Sequence, residues 1–145
     1  MDEPGGVRVV VVSRDELLLV HHHDRARNEL HWCPPGGGRE RGEPLEEAAV
    51  REVYEETGIP VRVLYRVDTS PSSDYALFVA EPLEYREASP MVDLSTEKYL
   101  VGAAWHVISG DNPLGPLKPD YWRPLIPTLQ RCLAEDSPEH SDLRA

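Results

Sequence analysis

Three glutamates near the middle of the chain have the spacing of a cation site. Glu52, Glu55 and Glu56 stand three and four residues apart. On an α-helix, which turns about 100° per residue, such positions share roughly a third of the circumference. Like charges this close repel each other by about a few tenths of a kcal/mol per exposed pair. A bound divalent cation would turn the repulsion into ligation, and hard cations such as Mg2+ bind oxygen ligands.

The helix that would carry these glutamates is delimited by its neighbours. Pro44 suits a first helical position, and Gly58 followed by Ile59 suits a helix end. An apolar stripe at helical spacing consists of Leu45, Ala49 and Val53. Because this stripe runs beside the carboxylates, the acidic arc borders the buried face of the predicted helix. The alternative from the residues alone is a solvated acidic helix without a ligand.

An arginine and a glycine-rich run accompany the acidic helix. Arg51 lies four residues after Glu47 and four before Glu55, so it can bridge to either side chain. Glu43 lies near the helix start, where negative charge is favoured. The segment 34–38 reads PPGGG and is predicted to form a loop. Its glycines permit unusual backbone angles and let backbone groups approach a metal ion or a phosphate.

The motif over residues 37–59 resembles a known signature. Its defined positions are Gly37, Glu43, Arg51-Glu52-Val53, Glu55-Glu56 and Gly58-Ile59. Each of them is similar to the Nudix box. The resemblance implies an α/β fold, the Nudix-type α/β/α sandwich with a mixed β-sheet between helices. It also implies hydrolysis of a nucleoside diphosphate linked to another group X, in which water attacks phosphorus and box glutamates hold Mg2+ or Mn2+.

The resemblance leads to predicted roles for single residues. The predicted metal ligands are Glu52, Glu55, Glu56, Glu97 and, through its carbonyl, Gly36. The predicted catalytic residues are Arg51, Glu52, Glu55 and Glu56. Glu52 is the expected general base, because a glutamate not fully used in ligation can accept a proton from water. Arg51 is expected to orient its acidic neighbours, and a plain surface acid is the alternative for Glu97.

The group X and the base need a pocket outside the motif, and four residues are candidates for binding the substrate. Arg39 and Arg41 could steer phosphates or be solvated, and Trp32 could pack in the core or form a pocket wall. Tyr75 stands at a spacing similar to that of a tyrosine in relatives that cleave dinucleoside polyphosphates. Asp74 stands where relatives that cleave ADP-ribose carry a proline, which disfavours ADP-ribose. The identity of X stays open.

Histidines and cysteines offer further candidates. His21, His22 and His23 are consecutive, and neighbouring side chains of a strand point to opposite faces, so at most His21 and His23 converge. A strand end or a substrate rim is favoured over a metal site. Cys33 is not expected to act as a nucleophile, because metal-assisted hydrolysis needs none.

The composition bounds the class of protein. In 145 residues we expect one domain over 1–136 and a flexible tail over 137–145. The formal net charge of −11 argues against a general nucleic-acid or membrane binder, and small polyanionic substrates remain possible if metal ions screen the site. The resemblance implies a small nucleotide as the partner. Two cysteines are too few for a disulfide framework, so the cytoplasm is the expected compartment. The acidic N-terminus lacks the apolar run of a signal peptide, and the resemblance leaves a homodimer open.

The remaining pattern predicts strands before and after the acidic helix. Segments with a β-branched or alternating pattern are 7–12, 17–23, 30–33, 61–69, 75–83 and 99–107. A second helix, capped by Asp120 or starting near Arg123, is expected to run to about Glu135. It would cover the sheet face opposite the acidic helix.

Three classes of function are compatible with these residues. The leading hypothesis is an enzyme that acts on phosphoric anhydride bonds. A non-catalytic nucleotide-sensing module on the same fold is the alternative, although such modules usually lose box glutamates and none is missing here. A purely structural acidic domain is the third class, and Mg2+ would not change its melting temperature.

Overall fold

The computed structural model describes residues 3–68, 70–89 and 99–135. Its helices and strands, in chain order, are β1 (Gly6–Ser13), β2 (Glu16–Asp24), β3 (Glu29–Cys33), β4 (Gly36–Gly38), α1 (Leu45–Thr57), β5 (Val61–Arg66), β6 (Tyr75–Pro82), β7 (Leu100–Val107), α2 (Pro119–Trp122) and α3 (Ile126–Glu135). A 3-10 turn over Arg123–Leu125 joins α2 to α3. Within the described ranges, no helix combines the length and the apolar character that crossing a membrane requires.

The strands form one mixed sheet with β1 near its centre. β6 runs parallel to β1, and β5 pairs antiparallel with β6. The chain leaves β1 through Arg14, whose φ is 57°, and returns as β2, so that Ser13 faces Glu16. β3 and β7 flank β2 in antiparallel register. β1 and β2, two of the predicted strands, therefore form a hairpin.

The glycine run forms a strand where a loop was predicted. β4 pairs antiparallel with the first half of β1, with Gly36 opposite Arg8 and Gly38 opposite Gly6. A Cβ on Gly36 would lie 2.1 Å from the carbonyl oxygen of Val7, so glycine is what lets the two backbones approach this closely. The sequence could not indicate the strand, because three glycines carry no side-chain alternation.

Two apolar cores lie on opposite faces of the sheet, and β1 contributes to both. Val9 and Val11 pack in the core that contains α1, whereas Val10 packs in the core that contains Leu129 of α3. This follows from the two-residue period of a strand, which turns successive side chains to opposite faces. The sheet therefore lies between α1 and the C-terminal helices, and the predicted α/β class with a mixed sheet between helices is confirmed.

The predicted box helix forms as α1, with its start shifted by one residue. Pro44 is the N-cap residue and not the first helical residue. Gly58 ends the helix as predicted, in the left-handed conformation at φ 73°, and its backbone N–H donates to the carbonyl oxygen of Tyr54 at 2.8 Å. Within α1 the predicted apolar stripe is buried, and its members are Leu45, Ala49 and Val53.

The C-terminal helical region differs from the prediction. It starts at Pro119, earlier than Arg123, and Lys118 occupies the N-cap position that was expected for Asp120. The 3-10 turn then separates two α-helical pieces. The prolines at positions 124 and 127 explain the interruption, because proline cannot donate the amide hydrogen of a continuous helix.

Candidate functional site

A cavity of about 730 Å3 opens beside the glycine strand. Gly36, Gly37, Gly38 and Glu56 form one wall, where β4 meets the last turns of α1. Residues of β1, β2, β3, β6 and the segment entering α2 line the other sides. This volume lies within the range of small-molecule sites.

Two of the three clustered glutamates are buried beside this wall. Glu52 and Glu56 are 3% and 2% exposed, whereas the side chain of Glu55 is 41% exposed. Glu56 Oε1 accepts a hydrogen bond from the backbone N–H of Gly36 at 3.0 Å. The Glu52 carboxylate fills the space in front of Gly37, where a Cβ would lie 2.5 Å from its Oε2. The three glutamates were predicted to share one arc of the helix. In the structure Glu52 and Glu56 are buried against β4, whereas Glu55 is partly exposed.

Arg51 fixes the carboxylates around it. Its Nε and Nη2 donate to the two oxygens of Glu43 at 2.8 and 2.9 Å. Its Nη1 donates to Glu52 at 2.8 Å and to Glu55 at 3.3 Å. Nη2 also donates to the carbonyl oxygen of Gly38 at 3.1 Å, which ties the helix to β4. The planar guanidinium satisfies several acceptors at once, as a lysine ammonium at this position would not.

Glu43 was predicted to act through its charge near the helix start, and in the structure it also binds Arg51. It is the bidentate partner of Arg51, and of the two predicted bridges of that arginine the structure contains the one to Glu55 and not the one to Glu47. Arg51, followed by the backbone N–H of Glu40, lowers the pKa of Glu43 to about 2. The carboxylates, Glu43 first, raise the pKa of Arg51 above its usual range. The Arg51–Glu43 pair is consequently ionised at neutral pH.

The predicted ligand set is brought together only in part. Glu52 and Glu56 are adjacent to Gly36, but the contact of Gly36 is made by its amide, and ligation by its carbonyl stays a prediction. Glu97 lies outside the described residues. Among the residues that the structure describes, no group of three or more His, Cys, Asp or Glu side chains is arranged to hold a metal ion. Of the two buried glutamates beside β4, Glu56 belongs to the cavity lining.

The candidate substrate residues are divided between the cavity and the surface. Trp32 and Tyr75 line the cavity, and Asp74 lies there too. The ring of Trp32 also packs against the core on the α3 side, as one of its two alternatives predicted, and its role as a wall of the substrate pocket stays a prediction. Arg39 and Arg41 are exposed and do not belong to the cavity lining, so the phosphate-steering role predicted for them has no geometric support in the described part of the chain.

One member of the histidine run, His22, lies at the cavity. His22 lines the cavity together with His31, and their ring centroids are 5.4 Å apart. His21 instead stacks on Trp32 at 4.1 Å with 5° between the planes, and His23 is 3.1 Å from Asn28 Oδ1. Burial, followed by the charge of His31, lowers the pKa of His22, so its ring is neutral at pH 7. The substrate-rim alternative fits His22.

Among the cavity residues that sequence reasoning did not single out are one on β1 and three within the segment 118–122. Arg8 is the one charged residue in the valine run of β1, and its Nη1 donates to the carbonyl oxygen of Pro34 at 2.9 Å. A single charged residue within an apolar strand could have indicated that Arg8 has a specific contact or a place in a site. The three within the segment 118–122 are Lys118, Tyr121 and Trp122. Nothing in their local pattern indicates that they line the same cavity as the box residues, because that cavity forms between distant parts of the chain.

A family model described as the NUDIX domain matches residues 3–109. The chain is also 36% identical over 129 residues to a protein named NAD-capped RNA hydrolase NudC from Klebsiella pneumoniae subsp. pneumoniae, and 37% identical over 129 residues to the NudC of Shigella flexneri. These alignments cover 88% of this chain and 48% of each relative, so the chain spans about half the length of the curated relatives it matches.

Solved structures of similar fold agree with the family model. A NUDIX family hydrolase from Clostridium perfringens superposes with a TM-score of 0.64 at 20% identity, covering 92% of this chain and 99% of that one. The Nudix hydrolase RenU from M. Smegmatis also gives a TM-score of 0.64, at 21% identity and with 91% and 86% coverage. These two likenesses concern the fold alone. Because the NUDIX domain model matches most of the chain and the fold agrees with it, this protein belongs to the Nudix hydrolase family.

Proposed function

We propose that this protein hydrolyses the phosphoric anhydride of a nucleoside diphosphate linked to a group X, with Mg2+ or Mn2+ as cofactor. The observation that carries the proposal is the pair of buried carboxylates, Glu52 and Glu56, against the glycine strand at one wall of a nucleotide-sized cavity. A buried carboxylate is costly unless charge or hydrogen bonds compensate it. Arg51 and the Gly36 amide supply part of that compensation, and a cation would supply more.

The residues present fit a hard divalent cation. Mg2+ is usually bound by one or two carboxylates, retained waters and substrate phosphates, and not by a complete cage of protein ligands. Glu52 and Glu56 would be the two carboxylates, with Glu55 as a further candidate at the more exposed side. The absence of a larger acidic cluster in the described residues is compatible with this mode of binding. Once bound, the ion would neutralise the diphosphate and lower the pKa of an attacking water.

The protein groups then hold the reacting partners in place. We assign Glu52 as the general base that accepts the proton of the water that attacks phosphorus. Arg51 donates to Glu52 at 2.8 Å and also binds the Gly38 carbonyl, so it sets the position of the base relative to β4. Such positioning matters because displacing a catalytic group by about 1 Å can slow a reaction about 100-fold.

The names of the relatives suggest candidates for the group X of this chain but do not identify it. Their printed names describe hydrolysis of NAD-capped RNA. A dinucleotide related to NAD is therefore a candidate, and the capped end of an RNA is a second candidate. The net charge of −11 favours the small dinucleotide, because an RNA chain would meet an acidic protein surface. We place the activity in the cytoplasm, in keeping with a chain that has two cysteines, Cys33 and Cys132, both of them buried.

The central test removes one buried charge with little change of shape. Glu56→Gln keeps an oxygen that can accept the Gly36 N–H, so we expect a folded protein whose Mg2+-dependent turnover falls by about 100-fold or more. Glu46→Gln is the matched control, because Glu46 lies on the same helix and is exposed. The substrates are NAD, ADP-ribose, dinucleoside polyphosphates, nucleotide sugars and nucleoside triphosphates, and released phosphate and pyrophosphate are measured separately.

Two results would contradict the proposal. Turnover of Glu56→Gln equal to that of wild type would remove Glu56 from the mechanism. Tight nucleotide binding without any Mg2+- or Mn2+-stimulated cleavage would favour the non-catalytic sensing module instead.

A further inference from the structure

The segment that enters α2 supplies one side of the cavity. Lys118, Tyr121 and Trp122 line it. All three lie beyond residues 3–109, which match the NUDIX domain. The motif for the chemistry and this part of the ligand site are thus carried by different parts of the chain. Such a division lets ligand contacts vary while the reaction stays the same.

Aromatic side chains are concentrated in the cavity. The chain has three tryptophans, six tyrosines and one phenylalanine, and four of these rings line the cavity. Three of the four are already packed by protein: Trp32 stacks on His21, and Tyr75 and Trp122 are 9% and 7% exposed. Tyr121 differs from them, because it is 46% exposed. It is the cavity's aromatic residue with the most surface left for a ligand.

Tyr121 is held in place in spite of its exposure. Its ring contacts Trp122 edge to face, with 4.6 Å between centroids and 83° between planes. Its hydroxyl lies 3.3 Å from the hydroxyl of Tyr75. Lys118, three residues earlier, places its Nζ 3.2 Å from Glu29 Oε2 and so links this segment to β3. A ring that is ordered before binding adds affinity efficiently, because less conformational freedom is lost when the ligand arrives.

We propose that Tyr121 binds the nucleobase of the ligand by stacking on it, while the paired hydroxyls of Tyr75 and Tyr121 offer the base a polar contact. This inference rests on the proposed nucleotide substrate and adds the place at which its base is bound. A flat aromatic ring suits this surface, since every nucleobase has a π face and stacking tolerates any of them. Burial raises the pKa of Tyr75, so its hydroxyl stays protonated and is able to donate.

The test measures binding in the absence of cleavage. AMP, GMP, CMP, UMP and the base-free analogue ribose 5-phosphate are titrated in EDTA by isothermal titration calorimetry. For Tyr121→Ala we expect binding of at least one nucleotide to weaken by about 5- to 150-fold, the range for loss of one base–aromatic stack. Binding of ribose 5-phosphate should not change. Tyr121→Phe keeps the ring and should weaken nucleotide binding by no more than about 10-fold, the contribution of a hydrogen bond.

Tyr85→Ala is the matched control. Tyr85 is 51% exposed and also contacts one tryptophan ring, Trp105 at 5.2 Å, but it is not part of the cavity lining. Tyr121→Leu, which fills similar space without a ring, replaces the alanine variant if that variant does not fold. Wild-type protein that binds ribose 5-phosphate as tightly as every nucleotide, or a Tyr85→Ala loss equal to the Tyr121→Ala loss, would overturn the assignment.

Measuring both nucleotide binding and metal-dependent cleavage on the wild-type protein distinguishes failure of this inference from failure of the proposed activity. Discrimination between nucleotides and ribose 5-phosphate without any metal-dependent cleavage would keep the base site and reject the hydrolase. Metal-dependent cleavage by a protein that shows no such discrimination would keep the hydrolase and reject the base site.

Discussion

The substitution Gly37→Ala tests whether catalysis depends on where the Glu52 carboxylate lies, because the added methyl group displaces that carboxylate without removing it. In Gly37→Ala the new Cβ would lie 2.5 Å from Glu52 Oε2 and 2.8 Å from its Cδ, whereas ordinary contact begins at 3.4 Å. The carboxylate must therefore retreat by about 1 Å. It is 3% exposed and held by Arg51 at 2.8 Å, so little free space is available for the movement. A displacement of about 1 Å in a catalytic group corresponds to a rate loss of about 100-fold.

The fold should survive this substitution. The clash involves the end of a side chain that can rotate, and a strained rotamer costs about 0.5–1.5 kcal/mol. Gly38→Ala is the matched control, since Gly38 also lines the cavity and a Cβ there meets nothing within 4 Å. Gly36→Ala marks the opposite extreme: its Cβ would lie 2.1 Å from the backbone oxygen of Val7, and a rotamer change cannot relieve a backbone clash.

The assay compares initial rates at saturating nucleotide and Mg2+ with urea denaturation of the same samples. We expect kcat of Gly37→Ala to fall by about 100-fold with KM changed much less, and kcat of Gly38→Ala to stay within about threefold of wild type. If both variants retained wild-type kcat, the placement of the Glu52 carboxylate against β4 would not matter for catalysis, and its assignment as general base would be lost.

Two further predictions concern stability. Because Arg51 lowers the folded-state pKa of Glu43 from 4.5 to about 2, the stabilisation from this ion pair is complete above about pH 4.5 and is lost as the pH falls toward 2. Glu43→Gln should therefore be less stable than wild type at pH 7, and the difference should shrink over that range in denaturant titrations; a constant difference would contradict the linkage. Leu129→Ala, at a fully buried position, should lower the free energy of unfolding by about 2–5 kcal/mol, whereas Leu83→Ala, at a position 66% exposed, should change it by about 0.5 kcal/mol or less.

Local pattern was sufficient to predict the box helix. The helical spacing of the glutamates and the stop signal at Gly58 are properties of consecutive residues, and α1 follows both. The α/β class was also accessible, because strand-like segments on both sides of one amphipathic helix restrict the possible layers. Which carboxylates are buried was not accessible: Glu52, Glu55 and Glu56 look equivalent in sequence, and only the packing of β4 divides them.

What the sequence determined by itself is therefore the local part: the helix, its charges, its termini and the family to which they point. The tertiary structure decided the pairing of β4 with β1, the choice of Glu43 as partner of Arg51, and the approach of Tyr121 to Tyr75. The physical reason is the range of the interactions. Helical periodicity is set by neighbours three or four residues apart, whereas strand pairing and the cavity walls depend on contacts between segments that are distant in sequence and adjacent only after folding.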